Sequence, residues 1–282
     1  MNANDLTFGI ELETVVSATT ANRNGLFIGG YHNGRQVPYL PDGWTAARDA
    51  SVSGSGDALS CEIVSPVLRG EAGVNAVYNA VNTLVERGHR VNATCGCHIP
   101  IGYADQPAEQ IRRLIAVVSY LETALYATTG TKNRERGRWC KSVREYNGAS
   151  RAFNTMRGDR YHLLNIQNLT THRLPTIEFR VFSGSLNPVK ILGWIQACLG
   201  LVERGLTTKR LPVWKARPAV GGWKKKGIGQ TDVERLFGFL GWGRGYQRLK
   251  GGHMYGWLSD QIPQDEVKKE FRRLAKKYDA EE

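Results

Sequence analysis

The sequence predicts an α+β fold on a largely antiparallel sheet, followed by a small basic C-terminal extension. Three observations lead there. Strand-like pieces follow one another directly in places, as in residues 161–184, instead of alternating with helices. Three longer segments carry helical apolar spacing with capping residues at their ends. After Gly205 the composition shifts to Gly, Trp and Lys.

Taken in order, "TFGIELETVV" (7–16) reads as a strand. Alternation then puts Glu11 and Glu13 on one face, with Phe8, Ile10, Leu12 and Thr14 on the other. Neighbouring carboxylates repel, and burying them is costly unless a cation sits between them; the alternative is an edge strand with one wet face. Residues 17–43 are rich in Gly, Asn, Thr and Pro and read as a long loop or hairpin. Residues 43–70 hold two strand-like pieces around a Gly/Ser turn at 53–56. Helical spacing at Val74, Val77, Val81, Leu84 and Val85 predicts a helix over 71–88, closed by Gly88. "HRVNATCGCHIPIGY" (89–103) reads as a strand, and 107–130 as an amphipathic helix from Pro107 to Gly130. A basic stretch from Lys132 to Arg160 precedes two further strands, "YHLLNIQNL" and "TIEFRVFSG". Asn187 and Pro188 open a third helix ending at Gly205.

A domain boundary is expected there, between residues 1–205 and 206–282. In the second part Thr231 and Glu234 have capping-box spacing at the start of a short helix. The last segment, "QDEVKKEFRRLAKKYDAEE", forms a basic amphipathic helix with Val267, Phe271, Leu274 and Tyr278 on its apolar side.

Hydrophobic residues at 41% and charged residues at 23% describe an ordinary soluble protein of 282 residues. No signal-peptide pattern opens the chain, and the longest apolar run, 191–202, is too short to span a bilayer. Five irregularly spaced cysteines suit reduced thiols, so a cytoplasmic protein with no membrane association is expected. The net charge is +12 and unevenly spread, with 17 Lys/Arg against 9 Asp/Glu in residues 206–282. Such a field favours nucleic acid, phosphorylated ligands or an acidic partner, or serves solubility alone. Trp214, Trp223, Trp242 and Trp257 interleave with those cations. They could stack on a single-stranded nucleic acid or build a small Trp-rich core.

Odd polar residues recur in the strand-like pieces: Asp49 and Ser51 in "RDAS", Glu62 in "LSCEIVSP", His98 in "CHIPIG", and Glu178 and Arg180 in "IEFRVF". With Glu11 and Glu13 they would gather on one sheet face. Carboxylates collected that way suit Mg²⁺, and an arginine among them suits a phosphate or carboxylate. "CGCH" (95–98) also invites zinc, but its ligands are crowded and no second pair follows at finger-like spacing.

In order and spacing, "FGIELE", "GWTAARDAS" with "CEIVSPVLRG", "TCGCHIPIG", "RWCK", "YHLLNIQNL" and "TIEFRVFSGSLN" resemble the amidoligase family. Its members are similar to carboxylate–amine ligases of the glutamine synthetase and γ-glutamylcysteine ligase fold, and the resemblance covers roughly residues 6–205. It implies a glutamine synthetase-like sheet with helices packed on one side. It also implies ATP-dependent joining of a carboxylate to an amine through an acyl phosphate. By the family pattern Glu11, Glu13, Glu62 and Glu178 would hold Mg²⁺. Arg180 would stabilise the transferring phosphoryl group, Asp49 and Ser51 would position metal or substrate, and His98 would stand near nucleotide or metal. Arg138, Lys141, Arg144, Arg160 and Asn165 would contact the nucleotide. The family often has a second histidine two residues after the first, where this chain has Pro100. The implied substrates are small-molecule or peptide amines and carboxylates, and assembly into oligomers stays open. The competing expectation is a non-catalytic nucleic-acid binder on a degenerate ligase scaffold, drawing on the basic residues 206–282.

Overall fold

The run containing the paired glutamates forms two strands, β1 (Thr7–Phe8) and β2 (Glu11–Ser17), instead of the single strand expected. The break is local. Gly9 N–H donates to the Pro100 carbonyl (2.8 Å) and Ile10 N–H to Ser65 Oγ (2.9 Å). Both strands keep one register against the same neighbour, with Phe8 opposite Ile101 and Glu11 opposite His98.

The structure is a computed structural model that describes residues 3–31, 33–103, 106–171, 175–208, 227–242 and 259–281. Its other strands are β3 (Arg35–Gln36), β4 (Thr45–Ala47), β5 (Ala58–Val64), β6 (Leu68–Arg69), β7 (Gly96–Gly102), β8 (Leu164–Asn165) and β9 (Thr176–Ser183). The helices are α1 (Ala18–Arg23), α2 (Gly70–Glu86), α3 (Ala108–Ala127), α4 (Asn133–Arg136), α5 (Ala149–Met156), α6 (Asn168–Thr171), α7 (Pro188–Thr207), α8 (Ile228–Leu240) and α9 (Gln264–Ala280).

All named strand pairings are antiparallel. The sheet runs β3-β4-β5-β2-β7 and continues through β9 to β8, with β1 and β6 prolonging β2 and β5. One face is apolar: Leu12, Ile63, Cys97, Ile101, Ile177 and Phe179 are all buried in a core shared with α2, α3 and α7. Phe182 stacks on Trp194 of α7 at 4.8 Å, and the Trp194 indole donates to the Thr128 carbonyl. The opposite face carries Glu11, Glu13, Glu62, His98 and Arg180.

Several local expectations are refined. Residues 17–43 contain α1, capped by Ser17 Oγ accepting from Thr20 N–H, and half of the short β3–β4 hairpin. Val85 is 51% exposed: it follows the buried Leu84 by one residue, about 100° round the helix. Thr231 does not cap α8, which begins a turn earlier at Ile228. Its first N–H groups are taken instead by the Asp279 carboxylate of α9, at 2.7 Å from Gly229 N and 3.0 Å from Gln230 N. A carboxylate there complements both the unpaired N–H groups and the helix dipole.

Helices α8 and α9 pack on α3 and α7, and Val233, Phe237, Trp242, Phe271 and Leu274 belong to the same hydrophobic core as residues 1–205. The expected apolar side of α9 (Val267, Phe271, Leu274, Tyr278) is buried. Trp242 stacks against Phe237 in that core, whereas Trp214, Trp223 and Trp257 lie outside the described residues. No helix among the described residues is long and apolar enough to cross a membrane.

Candidate active site

The polar sheet face forms the floor of a cavity of about 510 Å³. Pairing explains the crowding. Glu13 on β2 stands directly opposite Glu62 on β5, and Glu11 opposite His98 on β7. At His98 the register with β9 shifts: Cys97 faces Phe182 while Ile99 faces Phe179, so two residues of β9 oppose one of β7. A bulge of this kind re-aims side chains and is common beside active sites. Arg180, two residues from Glu178 and so on the same face, lies on the floor next to His98.

Distances within the floor are short. His98 Nδ1 lies 3.4 Å from Glu11 Oε2 and 3.6 Å from Glu178 Oε1, and His98 Nε2 lies 3.6 Å from Glu13 Oε1. Arg180 Nη1 donates to Glu178 Oε1 (2.5 Å), and Asn165 Nδ2 donates to Glu178 Oε2 (2.7 Å). Glu13 Oε2 accepts from Gly96 N–H (2.5 Å). A β-carbon on Gly96 would stand 3.0 Å from His98 Nε2, 3.2 Å from Glu13 Oε2 and 3.3 Å from Arg134 Nη2, so a side chain there would push these three groups aside by a few tenths of an ångström. Asp49 Oδ1 accepts from Ser51 N–H (2.6 Å), which ties these two into one turn at the cavity wall.

Electrostatics follow from burial. Glu13 is raised to about 7, by burial first and then by Asp49 against the opposing Gly96 bond and nearby arginines. Glu62 is raised to about 8, again by burial first and then by Glu11, Asp49, Glu13 and Glu178. Burial, reinforced by Arg180, holds His98 well below the usual histidine range in spite of the surrounding carboxylates. The imidazole is therefore neutral, and its buried Nδ1 has no hydrogen-bond partner among the described residues.

Those features fit a metal centre. Two sets of side chains each bring one ligand atom per residue within 4.8 Å of one another: Glu11, Glu62 and His98, and Glu13, Asp49 and Glu62. Glu62 is common to both. A neutral imidazole, an unpartnered nitrogen and carboxylates that resist ionisation together are what a hard divalent cation would satisfy. Glu178 belongs to neither set, being held by Arg180 and Asn165.

The other expected residues separate. Ser51 and Arg160 line the cavity with the floor residues. Arg138 does not line the cavity; its guanidinium lies over the ring of Trp139 (4.4 Å), which does. Lys141 is 2.7 Å from Asp159 and does not line the cavity. Arg144 is turned into α3, donating to the carbonyls of Ser119 (2.7 Å) and Tyr120 (3.2 Å) and to Thr123 Oγ1 (2.8 Å). Asn165 reaches the floor only through Glu178. Pro100 stands opposite Glu178 on β9, with its Cγ 3.3 Å from where a Gly9 side chain would begin. Cys97 and Cys61 are fully buried, and burial pushes both thiols up. Neither "CGCH" cysteine joins a candidate metal set among the described residues.

Sequence reasoning missed Arg134, Tyr31, Trp139 and Tyr161, which also line the cavity. Trp139 and Tyr161 meet edge to face at 5.1 Å. Arg134 stood in the basic stretch, but a run of cations carries no signal of which one faces inward.

Comparisons with known proteins agree with this picture at the level of family and fold. The family described as "Putative amidoligase enzyme" matches residues 4–147 and 145–202. No curated protein matches. A crystal structure of a bifunctional glutathione synthetase from Pasteurella multocida superposes with a TM-score of 0.50 at 9% identity, over 98% of this chain and 48% of that one. The complex between the prokaryotic ubiquitin-like protein Pup and its ligase PafA gives 0.41 at 10% identity, over 98% and 64%. Apo GmaS without ligand gives 0.40 at 12%, over 83% and 64%. The chain thus spans about half to two thirds of the length of these proteins.

Proposed function

The chain belongs to the amidoligase family, and from that premise we propose that it is an ATP- and Mg²⁺-dependent ligase joining a carboxylate to an amine. One observation carries the reading: the cavity combines four carboxylates (Glu11, Glu13, Asp49, Glu62) with three arginines (Arg134, Arg160, Arg180). Alone, the carboxylates would repel both a phosphate and a substrate carboxylate. With two divalent cations the balance turns positive by about three charges, which suits a triphosphate.

In the proposed reaction a substrate carboxylate oxygen attacks the γ-phosphorus of ATP and ADP leaves. The resulting acyl phosphate is attacked by an amine, and inorganic phosphate departs as the amide forms. Bound Mg²⁺ would neutralise phosphoryl oxygens and draw them into line. Glu11, Glu62 and His98 would hold one ion, and Glu13, Asp49 and Glu62 the other. Arg180, anchored by Glu178, would face the negative charge that develops during phosphoryl transfer. Asn165 would keep Glu178 in the rotamer that presents Arg180. Ser51 and Arg160 would line the approach of the acid substrate.

The test is calorimetric titration of Mg²⁺ with a non-hydrolysable ATP analogue into wild type and Glu11→Ala. Binding that requires both the metal and Glu11 supports the reading. Equal affinity in Glu11→Ala, or no binding to wild type, overturns it.

A further inference from the structure

Arg134 is placed in the cavity by a turn that is itself held from far along the chain. The guanidinium enters from α4, where Nη2 donates to the Arg180 carbonyl (2.6 Å). Its Nε is buried without a hydrogen-bond partner, and no carboxylate lies within 4.0 Å of it among the described residues. Its charge still reaches Glu13 and His98, the residues beside the candidate metal positions. A half-buried cation with spare donors next to a metal centre suits an anionic oxygen held by that metal.

The outer side of the same turn is gripped by α9. Tyr278 OH donates to the Glu135 carboxylate. Just beyond the helix, Glu281 Oε2 accepts from Thr131 Oγ1 (3.0 Å) and from Lys132 N–H (2.7 Å). Lys132 Nζ bonds the Glu281 carbonyl and lies 5.7 Å from the centre of the Tyr278 ring. Successive residues of a helical turn point about 100° apart, so Glu135 can face α9 while Arg134 faces the cavity. A four-residue helix has little stability of its own and needs such external contacts to keep its shape.

We propose that Arg134 binds a phosphoryl oxygen of the metal-held nucleotide, and that Tyr278 and Glu281 are positioning residues that hold the Arg134 turn. The helix α9, in the basic part of the chain beyond residue 205, thereby completes the ligase site. This rests on the ATP- and Mg²⁺-dependent reading above.

The experiment pairs two readouts on the full chain: affinity for the Mg²⁺ complex of a non-hydrolysable ATP analogue, and amide hydrogen exchange over residues 131–137. Arg134→Ala is expected to weaken binding by about ten-fold or more, with partial rescue in Arg134→Lys. Tyr278→Phe combined with Glu281→Gln is expected to speed exchange at 131–137 and to lose most of the affinity that Arg134→Ala loses. The Tyr278 ring stays in the core in that variant, so the fold is retained. In the Arg134→Ala background the same pair should cost nothing further, since positioning acts only through the arginine. Unchanged exchange in the α9 variant, losses that multiply instead of saturating, or wild-type affinity in Arg134→Ala overturns the proposal. Should wild type bind no nucleotide, the ligase reading and the phosphoryl role of Arg134 both fall. The exchange data then still decide whether α9 holds the turn.

Discussion

Glu13 and Glu62 are direct cross-strand partners on β2 and β5, and burial raises both carboxyls, to about 7 and about 8. Like charges opposed across a sheet destabilise it. Because their folded values lie above the usual carboxylate range, the folded protein holds these protons more tightly than the unfolded chain. That contribution to stability is complete below about pH 4.5 and is lost as pH rises through 7 to 8. The metal-free protein should therefore melt at a lower temperature at pH 8.5 than at pH 6. Glu62→Gln should flatten that fall, and Mg²⁺ should raise the wild-type melting temperature most at the higher pH. Calorimetric scans with and without Mg²⁺ check it, and a wild-type profile flat between pH 6 and 8.5 would refute it.

On the acid side the relevant group is His89. It is buried between Thr14 Oγ1 (3.0 Å) and Tyr39 OH (2.6 Å), and burial lowers it to about 4. A depressed histidine contributes stability above its unfolded value near 6.5, and this is lost as pH falls towards 4. The full effect is about 3 kcal/mol. Glu13 and Glu62 gain stability over the same range, so the check is the difference between the two proteins: the urea midpoint of His89→Gln should rise relative to that of wild type on going from pH 7 to pH 4.5.

Asn165 touches only Glu178 on the cavity floor, yet Glu178 anchors Arg180. Loss of such a supporting hydrogen bond behind a site residue commonly costs about 10–100-fold in activity or metal affinity. Asn165→Ala should therefore lower turnover by that order while its melting temperature changes little. Turnover is read as ADP release once an amine and acid pair has been found. Wild-type rates in Asn165→Ala would remove it from the site.

Asp279 caps α8 from α9 through Gly229 and Gln230. Its replacement by Ala should destabilise the protein by about 1–2 kcal/mol, the usual cost of a lost helix cap. Denaturant unfolding measures it, and Asp279→Asn, which keeps an acceptor oxygen, should recover part of the loss.

Arg144 separates the resemblance from the packing. Its guanidinium is spent on three groups of α3. Arg144→Ala should lower stability by about 1–3 kcal/mol, because charged hydrogen bonds to buried carbonyls are lost, and should leave nucleotide-analogue affinity at the wild-type level. A selective loss of affinity with unchanged unfolding would instead return Arg144 to the phosphates.

Alternation along a strand and caps at a helix end are written within a few residues. For that reason the shared face of Glu11 and Glu13, the polar position of Glu62, the helix opened by Asn187 and Pro188 and the family itself could be read from the chain directly. Other features needed elements distant in sequence to meet. The bulge opposite His98 depends on how β7 and β9 settle against each other. Which cation of the basic stretch faces inward depends on packing: Arg144 is taken by α3, while Arg134 is carried in by a turn gripped from Tyr278 and Glu281, about 145 residues later. Thr231 had the spacing of a cap, but a carboxylate from α9 offered a charged acceptor to the same helix a turn earlier, and tertiary contact outweighed the local signal. Short-range geometry is a property of the sequence alone; the competition among equivalent cations and acceptors is settled only when the helices close over the sheet.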